Sequence, residues 1–165
     1  MDLASLAKAM DAPVCQALER FELRLLSVEF LLRPSSTARM QRRQELELIV
    51  PSPFLSPKAA VRALRAGKRK VFVLSYGWGS PEDPDPTGEI LDHVRKFLRW
   101  WLSEFSVPER DWSSYGFFWD YASLHQRLRT PEQVLKFKGA LKVMSGLCTY
   151  AHIRPSPSPV TISSY

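Results

Sequence analysis

The sequence predicts an α/β fold with a parallel sheet, and two observations support this prediction. Two short runs of β-branched and aromatic residues, 71–74 and 115–119, are bounded by turn residues and predict buried strands. Amphipathic helical segments alternate with these runs. Such alternation favours βαβ units with right-handed crossovers. Because few strands are predicted, the sheet is expected to be incomplete, with the domain cut short at its C-terminal end.

The first 41 residues are predicted to be a helical extension of an α/β domain that spans residues 42–165. Apolar residues recur at spacings of three and four over 13–32 and predict a helix, while the alternation over 24–30 leaves a strand open for part of it. Apolar residues that alternate with charged ones over 46–50 predict a short edge strand or an extended arm.

Capping residues mark the helices on either side of the first strand. Ser56-Pro57 is typical of a helix start and predicts a helix that leads into the strand. Residues 81–88 contain three prolines and three acidic residues, which exclude a helix or a central strand. A helix with a wide apolar face is predicted over 88–105, capped by Asp85 or Thr87.

The second strand leads to another capped helix. Thr130 as N-cap, Pro131 as the first helical residue and Gln133 three positions after the cap fit a capping box. The inner face of this helix is expected to contain Val134, Phe137, Leu141, Met144 and Leu147. Residues 160–162 predict a third short strand.

The composition is that of a globular chain. Of the 165 residues, 45% are hydrophobic, which suffices for a buried core. No apolar run approaches the roughly 18 residues of a membrane span, and the N-terminus lacks a signal pattern, so we expect a cytoplasmic protein without membrane association. Cys15 and Cys148 lack metal-site spacing and are expected to be reduced, buried residues.

The net charge of +6 is unevenly distributed along the chain. Residues 1–70 contain 13 basic and 7 acidic side chains, whereas residues 71–165 contain ten of each. A nucleic-acid interface calls for a basic stripe with interleaved aromatic residues. The two basic groups in this half of the chain are too short and too far apart to form such a stripe; they are Arg39, Arg42 and Arg43, and the cluster 68–70. Solvated charge is therefore the better interpretation, and nucleic acid is not an expected partner.

Polar side chains follow both predicted strands, where parallel sheets place their ligand sites. The candidate ligand-binding residues are Ser75, Tyr76, Trp78, Asp83, Asp85, Asp120, His125 and Gln126. Plain structural interpretations remain open beside this one. The two aromatic residues also suit core packing, the acidic residues of 81–88 suit a capping loop, and Asp120 suits an anchor for its own loop. The spacing of the acidic residues does not match a calcium loop, and no metal site is predicted.

Catalytic motifs are not found. His125 has the chemistry of a general base near neutral pH, but Ser75 and Ser123 lack the context of a nucleophile elbow. The sequence contains no Walker loop, no G-x-G-x-x-G and no H-E-x-x-H. No catalytic residue is therefore assigned, and the chemistry of the residues alone does not establish an enzyme.

Three blocks, in order, resemble the fungal heterokaryon-incompatibility (HET) domain. Residues 73–79 look like its apolar strand running into S-Y-x-W-G. Residues 118–126 are similar to its W-x-D-x-x-C-I-x-Q block, with Ser123 in place of the cysteine and Leu124 in place of the isoleucine. Residues 141–151 resemble the third block, a helix that carries M-x-x-[IV]-Y-x-x-A.

Two further segments resemble a HET-like and TIR-like family of microbial eukaryotes. Residues 42–46 read R-R-Q-E-L, and residues 81–88 fit P-[DE]-x-P-D-P-x-G. The resemblance covers about residues 42–165. It implies a TIR-like sheet of the flavodoxin type, parallel and flanked by helices.

The resemblance also implies a function. TIR domains act as self-associating signalling modules, and some cleave NAD. The resemblance therefore implies a signalling or interaction module with protein partners and with NAD as ligand or substrate. No cofactor is assigned. In the enzymes a catalytic glutamate follows the third strand, and the comparable segment is expected to begin about where this sequence ends. The alternative is an NAD hydrolase or nucleotide-processing enzyme that receives its glutamate from outside this chain.

Overall fold

The computed structural model is a mixed α/β fold built on a small sheet. It describes residues 12–33, 37–66, 69–76, 83–149 and 160–164. The strands are β1 (Leu26–Ser27), β2 (Val71–Tyr76), β3 (Gly116–Trp119) and β4 (Val160–Ser164). Their order in the sheet is β1-β3-β2-β4. The central strands β2 and β3 are parallel, as predicted. The outer strands β1 and β4 run antiparallel to their neighbours, so the prediction of a wholly parallel sheet is wrong.

The helices contain most of the other residues that the structure describes. They are α1 (residues 12–19), α2 (Val28–Leu32), α3 (Arg43–Leu46), α4 (Pro57–Arg65), α5 (Glu89–Glu104), α6 (Asp120–Ser123) and α7 (Pro131–Thr149), and a 3₁₀ helix spans Glu109–Ser114. The residues that the structure describes include no helix long and apolar enough to cross a bilayer.

The helix predicted over 13–32 is interrupted. Helix α1 ends at residue 19, Phe21 has a φ of 55°, and β1 then pairs Leu26 with Phe117 before α2 begins. The side chains of Leu25, Leu26 and Val28 are almost completely buried. Leu26 lies in β1, Leu25 precedes the strand and Val28 begins α2. The run is therefore buried by the pairing of β1 with β3 together with the packing of α2 in the core, and not by one helical stripe.

The segment 42–50 also differs from its prediction. It contains α3 instead of an edge strand. Of its alternating apolar residues, Leu46 is completely buried, whereas Leu48 is 82% exposed and Val50 is 92% exposed. Ion pairs at spacings of three and four, Arg42–Glu45 and Arg43–Glu47, stabilise the helical turn.

The predicted caps are confirmed at the starts of α4 and α7. The Ser56 hydroxyl accepts a hydrogen bond from the amide of Ala59 at 3.2 Å. Thr130 and Gln133 exchange the two bonds of a capping box, at 3.1 and 3.3 Å.

The predicted inner face of α7 is only partly right. Leu147 is buried, but Leu141 is 44% exposed and Ala140 is buried in its place. A Cβ at Gly139 would collide with the carboxylate of Glu22. Gly139 and Ala140 thus lie beside Leu147 on the face that α7 packs into the core.

Two apolar clusters lie on opposite faces of the sheet. The first contains Phe72 and Phe117 with residues from α2 and α5, and the second contains Val73 and Phe118 with residues from α1, α4 and α7. The alternation along β2 and β3 reflects the two-residue period of a strand. Cys15 is buried in the second cluster, as predicted. Covered on both faces, the sheet presents the carboxyl ends of β2 and β3 at one edge.

Candidate functional site

A polar cavity of about 560 Å³ lies beside the carboxyl ends of β2 and β3. Its described lining consists of Thr37, Ala38, Arg39, Met40, Gln41, Arg42, Glu45, Asp83 and Tyr121. Tyr121 comes two residues after β3, and Asp83 lies in the loop between β2 and α5. The opposite wall is the segment that leads into α3. The cavity has the volume of a typical small-molecule site, which is roughly 300–1,000 Å³.

Four charged side chains of the lining form two ion pairs. Arg39 Nη1 lies 3.1 Å from Asp83 Oδ2, and Arg42 Nε lies 3.0 Å from Glu45 Oε1. Burial raises the pKa of the Tyr121 hydroxyl, Asp83 and Glu45 raise it further, and Arg42 and Arg39 lower it. All four charged residues line the same cavity as this phenol.

Helix α3 is held in place by Arg43, whose side chain is only 1% exposed. Its guanidinium donates to three backbone oxygens, those of Phe21 at 2.7 Å, Glu22 at 3.0 Å and Ser123 at 3.1 Å. A fourth bond, of 2.8 Å, joins Nε to Glu47 Oε1. Arg43 thus ties α3 to the turn after α1 and to the end of α6, the short helix that carries Tyr121.

Glu47 links Arg43 to His125. Its second oxygen, Oε2, lies 3.5 Å from His125 Nε2. Partial burial opposes ionisation of Glu47, but the His125 and Arg43 side chains outweigh it and lower the Glu47 pKa to about 2. The imidazole of His125 is buried, and its Nδ1 has no hydrogen-bond partner among the described residues.

Two glutamines, Gln44 and Gln126, also join α3 to the loop after β3. Gln44 Nε2 donates to the carbonyl of Gln126 at 2.7 Å, and the amide of Gln126 donates to Gln44 Oε1 at 3.1 Å. The side chain of Gln126 in turn donates to the carbonyls of Asp120, Tyr121 and Leu124. The loop after β3 is therefore fixed from both sides, which sets the position of Tyr121 against α3.

Asp85 organises the other loop at this edge. Its buried carboxylate accepts from the amides of Ile90 at 2.9 Å and Leu91 at 3.2 Å, the unpaired donors at the start of α5. The predicted alternative of Asp85 as the cap of this helix is thus confirmed. Gly88, with φ of 81°, packs so closely on the carbonyl of Ala38 that no Cβ fits. The contact holds the start of α5 against the cavity wall.

The candidate residues from the sequence fall into three groups. Asp83 lines the cavity. Asp85, His125 and Gln126 have their described contacts within the protein, at a helix start and in the loop after β3. Asp120 accepts a 2.7 Å bond from the amide of Tyr121.

The remaining candidates are Ser75, Tyr76 and Trp78. The backbones of Ser75 and Tyr76 lie in β2, where they pair with Thr161 and Val160 of β4. The side chains of these two residues, and the whole of Trp78, lie outside the described part of the chain.

Arg39, Arg42, Glu45 and Tyr121 line the cavity, and the sequence analysis did not propose them as ligand residues. The arginines were interpreted as solvated charge. The spacing of three between Arg42 and Glu45 is a helix signal that also places both side chains on one face. Nothing local in the sequence brings that face to Tyr121, because the contact joins segments almost 80 residues apart.

Neither metal-binding residues nor matches to known proteins indicate what this site binds. The described residues contain no cluster of three or more His, Cys, Asp or Glu side chains that could hold a metal ion. No family model, curated protein or solved structure matches this chain. The function is therefore argued from the cavity and from the sequence blocks.

Proposed function

We propose that this chain is a HET/TIR-like signalling or interaction module whose cavity binds a nucleotide. The observation that supports it best is the position of the cavity, at the carboxyl ends of the parallel strands β2 and β3. Open α/β sheets bind their ligands at this edge. The block resemblance, which implies a TIR-like fold, points to the same edge.

The lining has the chemistry that a nucleotide needs. Arg39 and Arg42 offer planar guanidinium groups, which bind phosphate oxygens with two parallel hydrogen bonds. Tyr121 adds an aromatic ring with a hydroxyl. The volume of about 560 Å³ is within the range of small-molecule sites.

Isothermal titration of the purified protein with NAD tests nucleotide binding. We expect saturable binding that Arg39→Ala weakens by about tenfold, the loss of roughly 1.4 kcal/mol of charge-assisted contact. The matched control is Arg62→Ala, since Arg62 is exposed on α4 and is not part of the cavity lining. Absence of binding, or equal affinities for the Arg39 and Arg62 variants, contradicts the proposal.

The second candidate function is an NAD hydrolase that needs a glutamate from outside this chain. Both carboxylates in the described lining are ion-paired with arginine, so neither is placed as an unpaired acid. We therefore expect the chain alone to release no nicotinamide from NAD, as measured by chromatography. Turnover that Asp120→Ala abolishes would favour the enzyme over the non-catalytic module.

Self-association is the partner interaction that the resemblance implies. Light scattering coupled to gel filtration, with and without NAD, measures it directly. A mass that rises above the 18.9 kDa monomer with concentration supports self-association. A monomer at every concentration restricts the proposal to other protein partners.

A further inference from the structure

The cavity lining is balanced in charge, and this balance restricts its ligand. Its described charged residues are two arginines and two carboxylates, joined as the pairs Arg39–Asp83 and Arg42–Glu45. The part of the lining that the structure describes contains no Lys or His. A site built for a polyanion instead concentrates basic groups, whose field is not cancelled by neighbouring carboxylates.

Binding of a purely anionic ligand has a cost at this site. To contact its phosphates, Arg39 and Arg42 must turn from their carboxylates, which leaves Asp83 and Glu45 beside the ligand without a cationic partner. Like charges brought together in a partly desolvated site oppose binding. A ligand that carries a cationic group as well as an anionic one gives all four side chains a partner.

Tyr121 lines the cavity together with Asp83 and Glu45. Burial raises the pKa of its hydroxyl most, and the two carboxylates raise it further. A cationic group beside the phenol would lie close to these carboxylates, and the face of an aromatic ring also attracts cations. Anionic groups are favoured on the side of the guanidinium groups.

We propose that the cavity selects a ligand that carries a cationic and an anionic group in one small molecule, with Asp83 and Glu45 receiving the cation and Arg39 and Arg42 the anion. This inference rests on the proposed function only in taking the same cavity as the binding site. Two sources provide the chemistry: a nucleotide with a cationic base, and a free amino acid or short peptide.

The first arm of the test compares NAD with NADH and ATP by isothermal titration. NAD and NADH have nearly the same shape, and the oxidised ring alone carries a positive charge. We expect NAD to bind at least about fivefold more tightly than NADH, the equivalent of one partly exposed ion pair. The second arm compares glycylglycine with N-acetylglycylglycine, which lacks the ammonium group, by ligand-observed NMR.

Carboxylate variants test the assignment of the groups. Asp83→Asn keeps an oxygen for the amide of Asp85, so the loop should persist, and Glu45→Gln is its counterpart in α3. Both variants should reduce the preference for the doubly charged probe and improve the binding of ATP. Asp92→Asn is the control, because Asp92 pairs with Lys96 on exposed turns of α5 away from the cavity.

The outcomes separate this inference from the proposed function. Tighter binding of NAD than NADH, or of glycylglycine than its acetylated form, supports the inference if the Asp83 variant loses this preference. If only the dipeptide binds, the nucleotide proposal fails and the inference stands. Equal or tighter binding of NADH and ATP overturns the inference and leaves a nucleotide site. Absence of binding by every probe overturns both.

Discussion

Replacement of Arg43 by methionine tests the contact that holds the α3 wall of the cavity. The substitution keeps a long apolar side chain but removes four hydrogen bonds, three of them to backbone oxygens of segments distant in sequence. Burial lowers the pKa of Arg43, and Glu47 partly offsets this effect. The guanidinium is thus a desolvated cation whose compensation comes from the oxygens around it.

The expected cost follows from what the substitution leaves behind. Three backbone carbonyls lose their hydrogen-bond donor. Glu47, which is partly exposed, loses Arg43, the closer of its two partners. Removal of one member of a buried charged pair costs about 3–5 kcal/mol. Because the Glu47 side chain is 29% exposed and water can replace part of its lost bond, we expect about 3 kcal/mol for Arg43→Met.

Urea denaturation followed by tryptophan fluorescence measures this loss. For a slope of about 2 kcal/mol/M, the midpoint should fall by roughly 1.5 M. Arg62→Met, the same substitution at an exposed position of α4, should change the free energy of unfolding by less than about 0.5 kcal/mol. A loss below about 1 kcal/mol at Arg43, or equal losses at the two sites, would refute the assignment of Arg43 as a buried clamp.

Three further substitutions probe the surroundings of the cavity. The lowered pKa of Glu47 means that its contribution to stability is complete above its unfolded pKa near 4.5 and is lost as the pH falls through about 2. Glu47→Gln should therefore flatten the dependence of the urea midpoint on pH over that window. An unchanged curve argues against the interaction of Glu47 with Arg43 and His125. Asp85→Ala should lower stability by about 1–2 kcal/mol in thermal denaturation because two amides at the start of α5 lose their acceptor, while Asp85→Asn should cost less. Gly88→Ala should cost about 2 kcal/mol or more, since φ is positive and the methyl group meets the Ala38 carbonyl; a melting temperature within 2 °C of the parent would contradict this.

Local signals predicted the elements that depend on local contacts. Strands β2 and β3 follow from their apolar runs, and the starts of α4 and α7 follow from Ser56-Pro57 and the Thr130 capping box. In each case the residues that determine the structure are neighbours in sequence. Their physical chemistry can therefore be evaluated before the fold is known.

Long-range contacts determined what the sequence analysis left open or missed. The alternation over 24–30 left a strand open, and β1 forms there because Leu26 lies opposite Phe117 and bridges to Phe54. The burial of Arg43 depends on carbonyls of Phe21, Glu22 and Ser123. An arginine in a basic run looks like surface charge until such oxygens are placed around it.

The cavity lies at the edge of the sheet where the sequence analysis expected ligand residues, but most of its described lining was not among them. Its edge follows from the parallel pairing of β2 and β3, which the sequence indicated. Its lining depends on α3, whose position is set by contacts with the loop after β3. Asp83 is the predicted residue that the described lining contains.

A titration of ¹⁵N-labelled protein with NAD, followed by amide chemical shifts, tests the location of the binding site most directly. We expect saturable shifts at residues 37–42, Glu45, Asp83 and Tyr121, with little change along the outer surface of α7. Saturable shifts confined to that group of amides would place the ligand between α3 and the carboxyl ends of β2 and β3. Absent shifts, or shifts centred on α7, would contradict a nucleotide site in this cavity.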